Sequence, residues 1–187
     1  QLVDLRRNKM GMVFQHFSLF DALTVAENIQ LAMPPGETIA SLSDRIASIS
    51  KEYGIEVDPA ARIHNLSVGQ QQRVEIVRCL LQDPKLLIMD EPTASLSARE
   101  TENLLNIVRQ LRQDGVSVLY VSHRLEEVFQ IADRVTVLRD GLGVMTCPIA
   151  DLTEDPAGVA LWAQLARAQF LFARPSEAVA TAESLAA

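Results

Sequence analysis

Cysteine is scarce in this chain. Cys79 and Cys147 are the only two in 187 residues, and they share no metal-ligand spacing. They give no reason to expect an oxidising compartment or a cysteine metal site. Cys79 falls in an apolar helical pattern and reads as a buried small side chain rather than a reactive thiol. Long apolar runs are missing too, and none approaches the roughly 20 residues that span a bilayer. Basic residues are outnumbered: 17 Lys and Arg face 24 Asp and Glu, for a net charge of -7 and a pI near 5.0. That balance speaks against a nucleic-acid binder, which usually presents a basic face, although a local basic patch stays compatible with it. There is no secretory leader and no initiator Met. The chain opens mid-pattern on Gln1-Leu2-Val3-Asp4, so further sequence upstream is expected. Hydrophobic residues make up 48%, enough for a sizeable core and too many for disorder.

The apolar run Met12-Val13-Phe14 reads as a buried strand. Thr24 is placed to cap a helix over 25–33, which Pro34-Pro35-Gly36 stops. Residues 37–53 carry Ile39, Leu42, Ile46 and Ile49 at helical spacing, with Gly54 as the terminator. Ser67 can cap a third helix over 68–81, with Val74, Val77 and Leu81 as its apolar stripe, before Asp83-Pro84 ends it. Leu86-Leu87-Ile88-Met89 predicts a strand covered on both faces. Ser97 and Glu100 form a capping box for a helix to about Gln113, with Leu104, Val108 and Leu111 inward. A strand over 116–121, a helix over 125–132, a strand over 134–138 and a hairpin turn at Asp140-Gly141 follow. This alternation predicts an α/β fold with a parallel sheet flanked by helices. It divides into 1–20 at the end of a core strand, a helical insertion over 21–83, core over 84–146, and an Ala-rich helical tail over 147–187.

Four motifs occur in a fixed order. Met12-Val13-Phe14-Gln15 is followed by Leu23-Thr24-Val25-Ala26-Glu27-Asn28. Then come Leu66-Ser67-Val68-Gly69-Gln70-Gln71-Gln72-Arg73, Leu86-Leu87-Ile88-Met89-Asp90-Glu91-Pro92-Thr93, and Val121-Ser122-His123. Together they resemble the Q-loop, signature motif, Walker B with catalytic glutamate, and switch histidine of ABC-family ATPases, over about Lys9 to Gly143. The fold implied is that of a P-loop NTPase with a helical subdomain. Phe14-Gln15-His16-Phe17 and His123-Arg124-Leu125-Glu126-Glu127-Val128 look most like the importer group for simple sugars and nucleosides, in its first-half type.

Asp90 and Glu91 follow four apolar residues, which puts them where a buried strand reaches the carboxyl edge of the sheet, the ligand edge of open parallel sheets. Asp90 is suited to Mg²⁺ and Glu91 to polarising the attacking water. A strand end with two solvated acids is the plainer alternative. Ser67, Gly69 and Gln70 begin a helix, where free N–H groups and the positive dipole end attract anions. Gly69 lets a phosphate approach the backbone. An ordinary capped helix is the alternative. The resemblance implies that this motif binds the γ-phosphate of ATP held by the opposite subunit. It also implies that His123 contacts the γ-phosphate, and that Gln15 contacts Mg²⁺ or water and senses the transporter. His16 and His64 read as structural.

This chain departs from the family pattern in several places. Val68 stands where the signature usually has Gly, and Ser97 where the following loop usually has Asp. No G-x-x-x-x-G-K-[ST] sequence occurs anywhere, although that loop and its Lys supply most phosphate binding. The expectation is therefore a chain truncated before the Q-loop, with half of a nucleotide site and no activity alone. The partners implied are transmembrane permease subunits and a second nucleotide-binding domain, identical or not. A substrate-binding protein is implied indirectly and nucleic acid is not, and the location implied is peripheral, on the cytoplasmic face of the membrane. In the tail, Trp162, Leu165, Ala166 and Ala178, with a turn at Arg174-Pro175, resemble one tetratricopeptide repeat. An Ala-rich helical pair or an abnormal junction fits the same residues. Two rival functions remain: a non-catalytic fragment or interaction protein, and a DNA-acting ABC-type ATPase. The second needs long coiled coils, and only about fifty residues separate Gln15 from Leu66.

Overall fold

The computed structural model describes residues 10–14, 18–139, 142–153 and 169–171. Its core is a three-stranded parallel sheet of β1 (Met10–Val13), β2 (Leu86–Asp90) and β3 (Ser117–Val121), with β2 central. Met10 pairs with Leu86 and Leu86 with Ser117, so the strands run in step toward one carboxyl edge. Between β1 and β2 the elements among the described residues are helical: α1 (Val25–Gln30), α2 (Ile39–Tyr53), a 3₁₀ turn (Ile63–Asn65) and α3 (Val68–Leu80), with one isolated bridge between Thr24 and Arg62. α4 (Ala98–Gln113) crosses from β2 to β3, and α5 (Leu125–Ile131) leads away from β3.

The helix ends follow the chemistry expected of them. Thr24, Ser67 and Ser97 each cap their helix in a reciprocal box with Glu27, Gln70 and Glu100. Gly54 closes α2 at φ 63°, a left-handed angle that glycine takes without a Cβ penalty. Along α3, Val74, Val77 and Leu81 are buried as the spacing predicts, and Leu104, Val108 and Leu111 are buried on α4. On α2, Leu42 and Ile46 are fully buried, whereas Ile39 in the first turn is exposed. Each fully buried aliphatic side chain contributes about 1.5–3 kcal/mol.

The sheet departs from expectation on one face. Gly11, Val13, Leu87, Met89 and Tyr120 share the buried face, but Leu86 and Ile88 are only half-buried among the described residues. β2 is therefore not equally covered on both sides. On the buried face a Cβ on Gly11 would sit 2.9 Å from Leu87 Cδ1 of β2 and 3.0 Å from Cys79 Cβ of α3, so α3 packs closely on β1. Cys79 is buried as expected. Its burial pushes the thiol up to about 11, so it stays protonated and inert.

A second sheet corrects the rest of the topology. β4 (Arg134–Arg139) does not extend the parallel sheet. It pairs antiparallel with β5 (Leu142–Pro148) on one side and with β6 (Gln169–Leu171) on the other. The expected hairpin is present, while its turn residues Asp140 and Gly141 lie outside the described residues. Cys147, expected to open the helical tail, sits inside β5. α6 (Ile149–Thr153) follows, and β6 is strand where helix was expected. Alanine content favours helix locally, but pairing with β4 prevails over that preference here. Trp162, Leu165, Ala166, Ala178 and Arg174-Pro175 lie outside the described residues.

Candidate functional site

The carboxyl ends of β2 and β3 bring together three of the expected residues. Asp90 is the last residue of β2 and pairs in register with Val121, the last of β3. One residue on, the Glu91 N–H still donates to the Val121 carbonyl at 2.9 Å. Glu91 then takes φ 47°, a left-handed angle that L-residues other than Gly, Asn and Asp seldom adopt. This reversal takes the chain off the strand, and the Ala94 N–H closes back onto the Glu91 carbonyl at 3.2 Å. Strain of this kind concentrates at functional sites.

The Glu91 side chain meets His123. Glu91 Oε2 and His123 Nδ1 are 2.7 Å apart, with Glu91 14% exposed and His123 60%. An ionised carboxylate only accepts, so Nδ1 carries the proton and Nε2 is left for another partner. Asp90 is half-buried beside the pair and makes no ion pair with another described residue. Among the described residues no cluster of three or more His, Cys, Asp or Glu could hold a metal unaided. A single carboxylate at a sheet edge does fit Mg²⁺, which keeps several waters and shares substrate phosphates. Gln15, the second expected metal contact, and His16 lie outside the described residues. His64 is structural, with its Nδ1 3.1 Å from the Asp21 carbonyl.

Ser67, Gly69 and Gln70 form a separate constellation at the start of α3. Ser67 Oγ accepts from the Gln70 N–H at 3.3 Å, and Gln70 Oε1 accepts from the Ser67 N–H at 2.8 Å. Both side chains thus satisfy the helix terminus itself, as an ordinary cap does. Gly69 is needed for a reason the sequence did not disclose. A Cβ there would lie 2.0 Å from Glu100 Oε1, so the Glu100 carboxylate occupies that space. Glu100 also accepts from the Ser97 N–H at 3.0 Å and Oγ at 2.7 Å, bonds that hold its carboxyl below the usual range. The start of α3 is therefore packed on the start of α4. No described hydrogen bond or ion pair joins this constellation to Asp90, Glu91 or His123.

Behind the sheet edge lies a buried group that sequence reasoning passed over. Glu127, 3% exposed, accepts from Thr93 Oγ1 at 2.7 Å and from Tyr120 Oη at 2.8 Å. Arg124 Nη1 is 2.8 Å from its other oxygen. The only signal in the sequence was the i,i+3 spacing of Arg124 and Glu127. The partners on Thr93 and Tyr120 come from other elements.

Comparison with known proteins bears on the family and the fold. The ABC transporter family model matches residues 2–94. A ribose import ATP-binding protein of Rubrobacter xylanophilus is 44% identical over 153 residues, 80% of this chain and 31% of its own length. A nucleoside import ATP-binding protein of Lactococcus lactis is 42% identical over 148 residues, 77% of this chain and 29% of its own. The chain thus spans about a third of the length of these relatives, 31% and 29%. A dimeric bacterial ABC transporter cassette superposes with a TM-score of 0.69 at 29% identity, covering 79% of this chain and 66% of that one. By motif order, sheet topology and sequence identity, the chain belongs to the ATP-binding proteins of ABC transporters.

Proposed function

We propose that the chain is part of an ATP-binding and ATP-hydrolysing motor subunit of an importer for simple sugars or nucleosides. The observation that carries this reading is the Glu91–His123 pair at 2.7 Å beside Asp90, on the carboxyl edge of a parallel sheet. Glu91 Oε1 accepts the proton side of the attacking water while Oε2 holds His123. When its ring carries a proton on Nε2 as well, His123 donates from that atom to the γ-phosphate. Asp90 holds Mg²⁺, with Gln15 as the second contact. The metal, when bound, neutralises phosphate charge. Ser67, Gly69 and Gln70 receive the γ-phosphate of ATP held by a second nucleotide-binding domain. Gln70 suits that task. It is the one neutral residue among the three reciprocal caps, the others being Glu27 and Glu100. The sugar or nucleoside specificity rests on the names of the relatives and on the motif likeness alone.

The partners in this reading are transmembrane permease subunits, docking near Gln15 and the helical insertion, with a substrate-binding protein acting indirectly. Among the described residues no helix is long and apolar enough to cross a membrane, which fits a peripheral subunit on the cytoplasmic face. The 187 residues contain no G-x-x-x-x-G-K-[ST] loop. On their own they are expected neither to bind Mg-ATP at micromolar concentration nor to hydrolyse it. Calorimetric titration tests this. The chain alone should give no binding heat, and the chain joined to a glycine-rich strand and loop should bind and hydrolyse. Tight binding by the chain alone, or no hydrolysis by the joined form, overturns the reading.

A further inference from the structure

We propose that Glu127 is the positioning residue that sets the spacing between Glu91 and His123. The proposal rests on the assignment of those two residues to the catalytic centre. Each partner of Glu127 lies next to one of them in the chain. Thr93, two residues after Glu91, donates to Oε2 at 2.7 Å, and Tyr120, three residues before His123, donates to the same oxygen at 2.8 Å. Arg124, the residue after His123, pairs with Oε1 at 2.8 Å. One carboxylate therefore fastens the turn that follows β2 to both sides of the His123 loop.

Packing supports a fixed hub. Thr93 is 1% exposed and Tyr120 is fully buried. Burial and the neighbouring carboxylate push the Tyr120 hydroxyl well above its usual range, so it remains a donor. A buried carboxylate is costly to desolvate, and a well-packed apolar residue would serve stability about as well. What an apolar side chain cannot supply is two directional hydrogen bonds and an ion pair reaching two loops. Glu91 has particular need of an anchor. Its left-handed backbone is held by two backbone bonds, its own N–H to the Val121 carbonyl and the Ala94 N–H to its carbonyl, with buried Thr93 beyond. Ser122 adds a local clamp, its Oγ accepting from the Arg124 N–H at 3.0 Å.

The first test uses the chain itself with ¹⁵N-labelled histidine. Glu91→Gln should move the imidazole resonances of His123. Thr93→Val, Tyr120→Phe and Glu127→Gln should each move them in the same direction and leave those of His64 in place. Tyr120→Phe removes one hydroxyl from a preserved ring, so it stays informative if Glu127→Gln fails to fold. If Glu91→Gln alone moves His123, the proposal is overturned. The second test uses the form joined to a glycine-rich strand and loop. There Glu127→Gln should lower kcat about tenfold or more with KM for ATP little changed, as expected of a misplaced catalytic pair. On a His123→Ala background it should cause no further loss, because both act through one unit. Additive losses would mark Glu127 as merely structural. If His123→Ala and Glu91→Gln both hydrolyse at the wild-type rate, the catalytic assignment fails, and the imidazole spectra still judge the coupling by themselves.

Discussion

The edge of the parallel sheet and the start of α3 were both expected to meet phosphate, and they are built in opposite ways. At the helix start the Ser67 and Gln70 side chains are answered locally. Ser67 and Gln70 bond each other, and Gly69 makes room for a carboxylate that Ser97 already holds. At the sheet edge the backbone is strained at Glu91, and the Glu91–His123 pair has one member largely open to solvent. The first is a relaxed surface that offers its N–H groups and dipole to a visitor. The second is a strained one, held ready by groups beneath it. Chemistry that reorganises charge needs the second kind, whereas recognition of a preformed anion can use the first.

The difference can be broken first at the sheet edge. In the form joined to a glycine-rich strand and loop, Glu91→Gln should bind ATP and hydrolyse it at least about a hundredfold more slowly, as expected on losing a positioned base. Single-turnover hydrolysis measures this, and a wild-type rate removes Glu91 from the catalytic role. At the helix start, Ser67→Arg should leave the fold intact, because Ser67 is exposed and only its cap is lost, at about 1 kcal/mol. On the Glu91→Gln background it should abolish the ATP-driven increase in mass seen by light scattering. Unchanged dimer formation would show that this terminus meets no phosphate across the dimer.

How much of this was legible in the sequence depends on how far each feature reaches along the chain. Caps at Thr24, Ser67 and Ser97 are patterns four residues long, and all three form as expected. So do the helix stripes apart from exposed Ile39, because their period is local. The placement of Asp90 and Glu91 at a strand end followed from the four apolar residues before them. What escaped was set by pairing between distant segments. β4 turned away from the parallel sheet because β5 and β6 flank it, and no local signal in residues 134–138 says so. Glu127 sits on an unremarkable helical turn until Thr93, 34 residues earlier, is folded against it. Nor does any local signal at Gly69 announce the Glu100 side chain, whose Oε1 would lie 2.0 Å from a Cβ there.

The smallest effect separates strain from chemistry at one position and needs no nucleotide. A left-handed backbone costs an L-residue about 1–2 kcal/mol, and glycine escapes that cost. Glycine in turn loses more chain freedom on folding, which offsets about half of the gain. Glu91→Ala and Glu91→Gly both remove the contact with His123, so comparing the two leaves the backbone as the main difference. Glu91→Gly should be the more stable by about 0.5–1 kcal/mol. For a chain of this length that is roughly 1–4 °C in the thermal midpoint. Both variants should be without catalytic activity in the joined form, so the more stable site would be a dead one. At Gly69 glycine should again be the more stable, but through packing rather than backbone, because there an added methyl must displace the Glu100 carboxylate, whose Oε1 would lie 2.0 Å from the new Cβ. Thermal unfolding of the four chains decides it. Equal midpoints for Glu91→Ala and Glu91→Gly would mean that the turn after Asp90 relaxes freely and stores nothing for Glu91 to use.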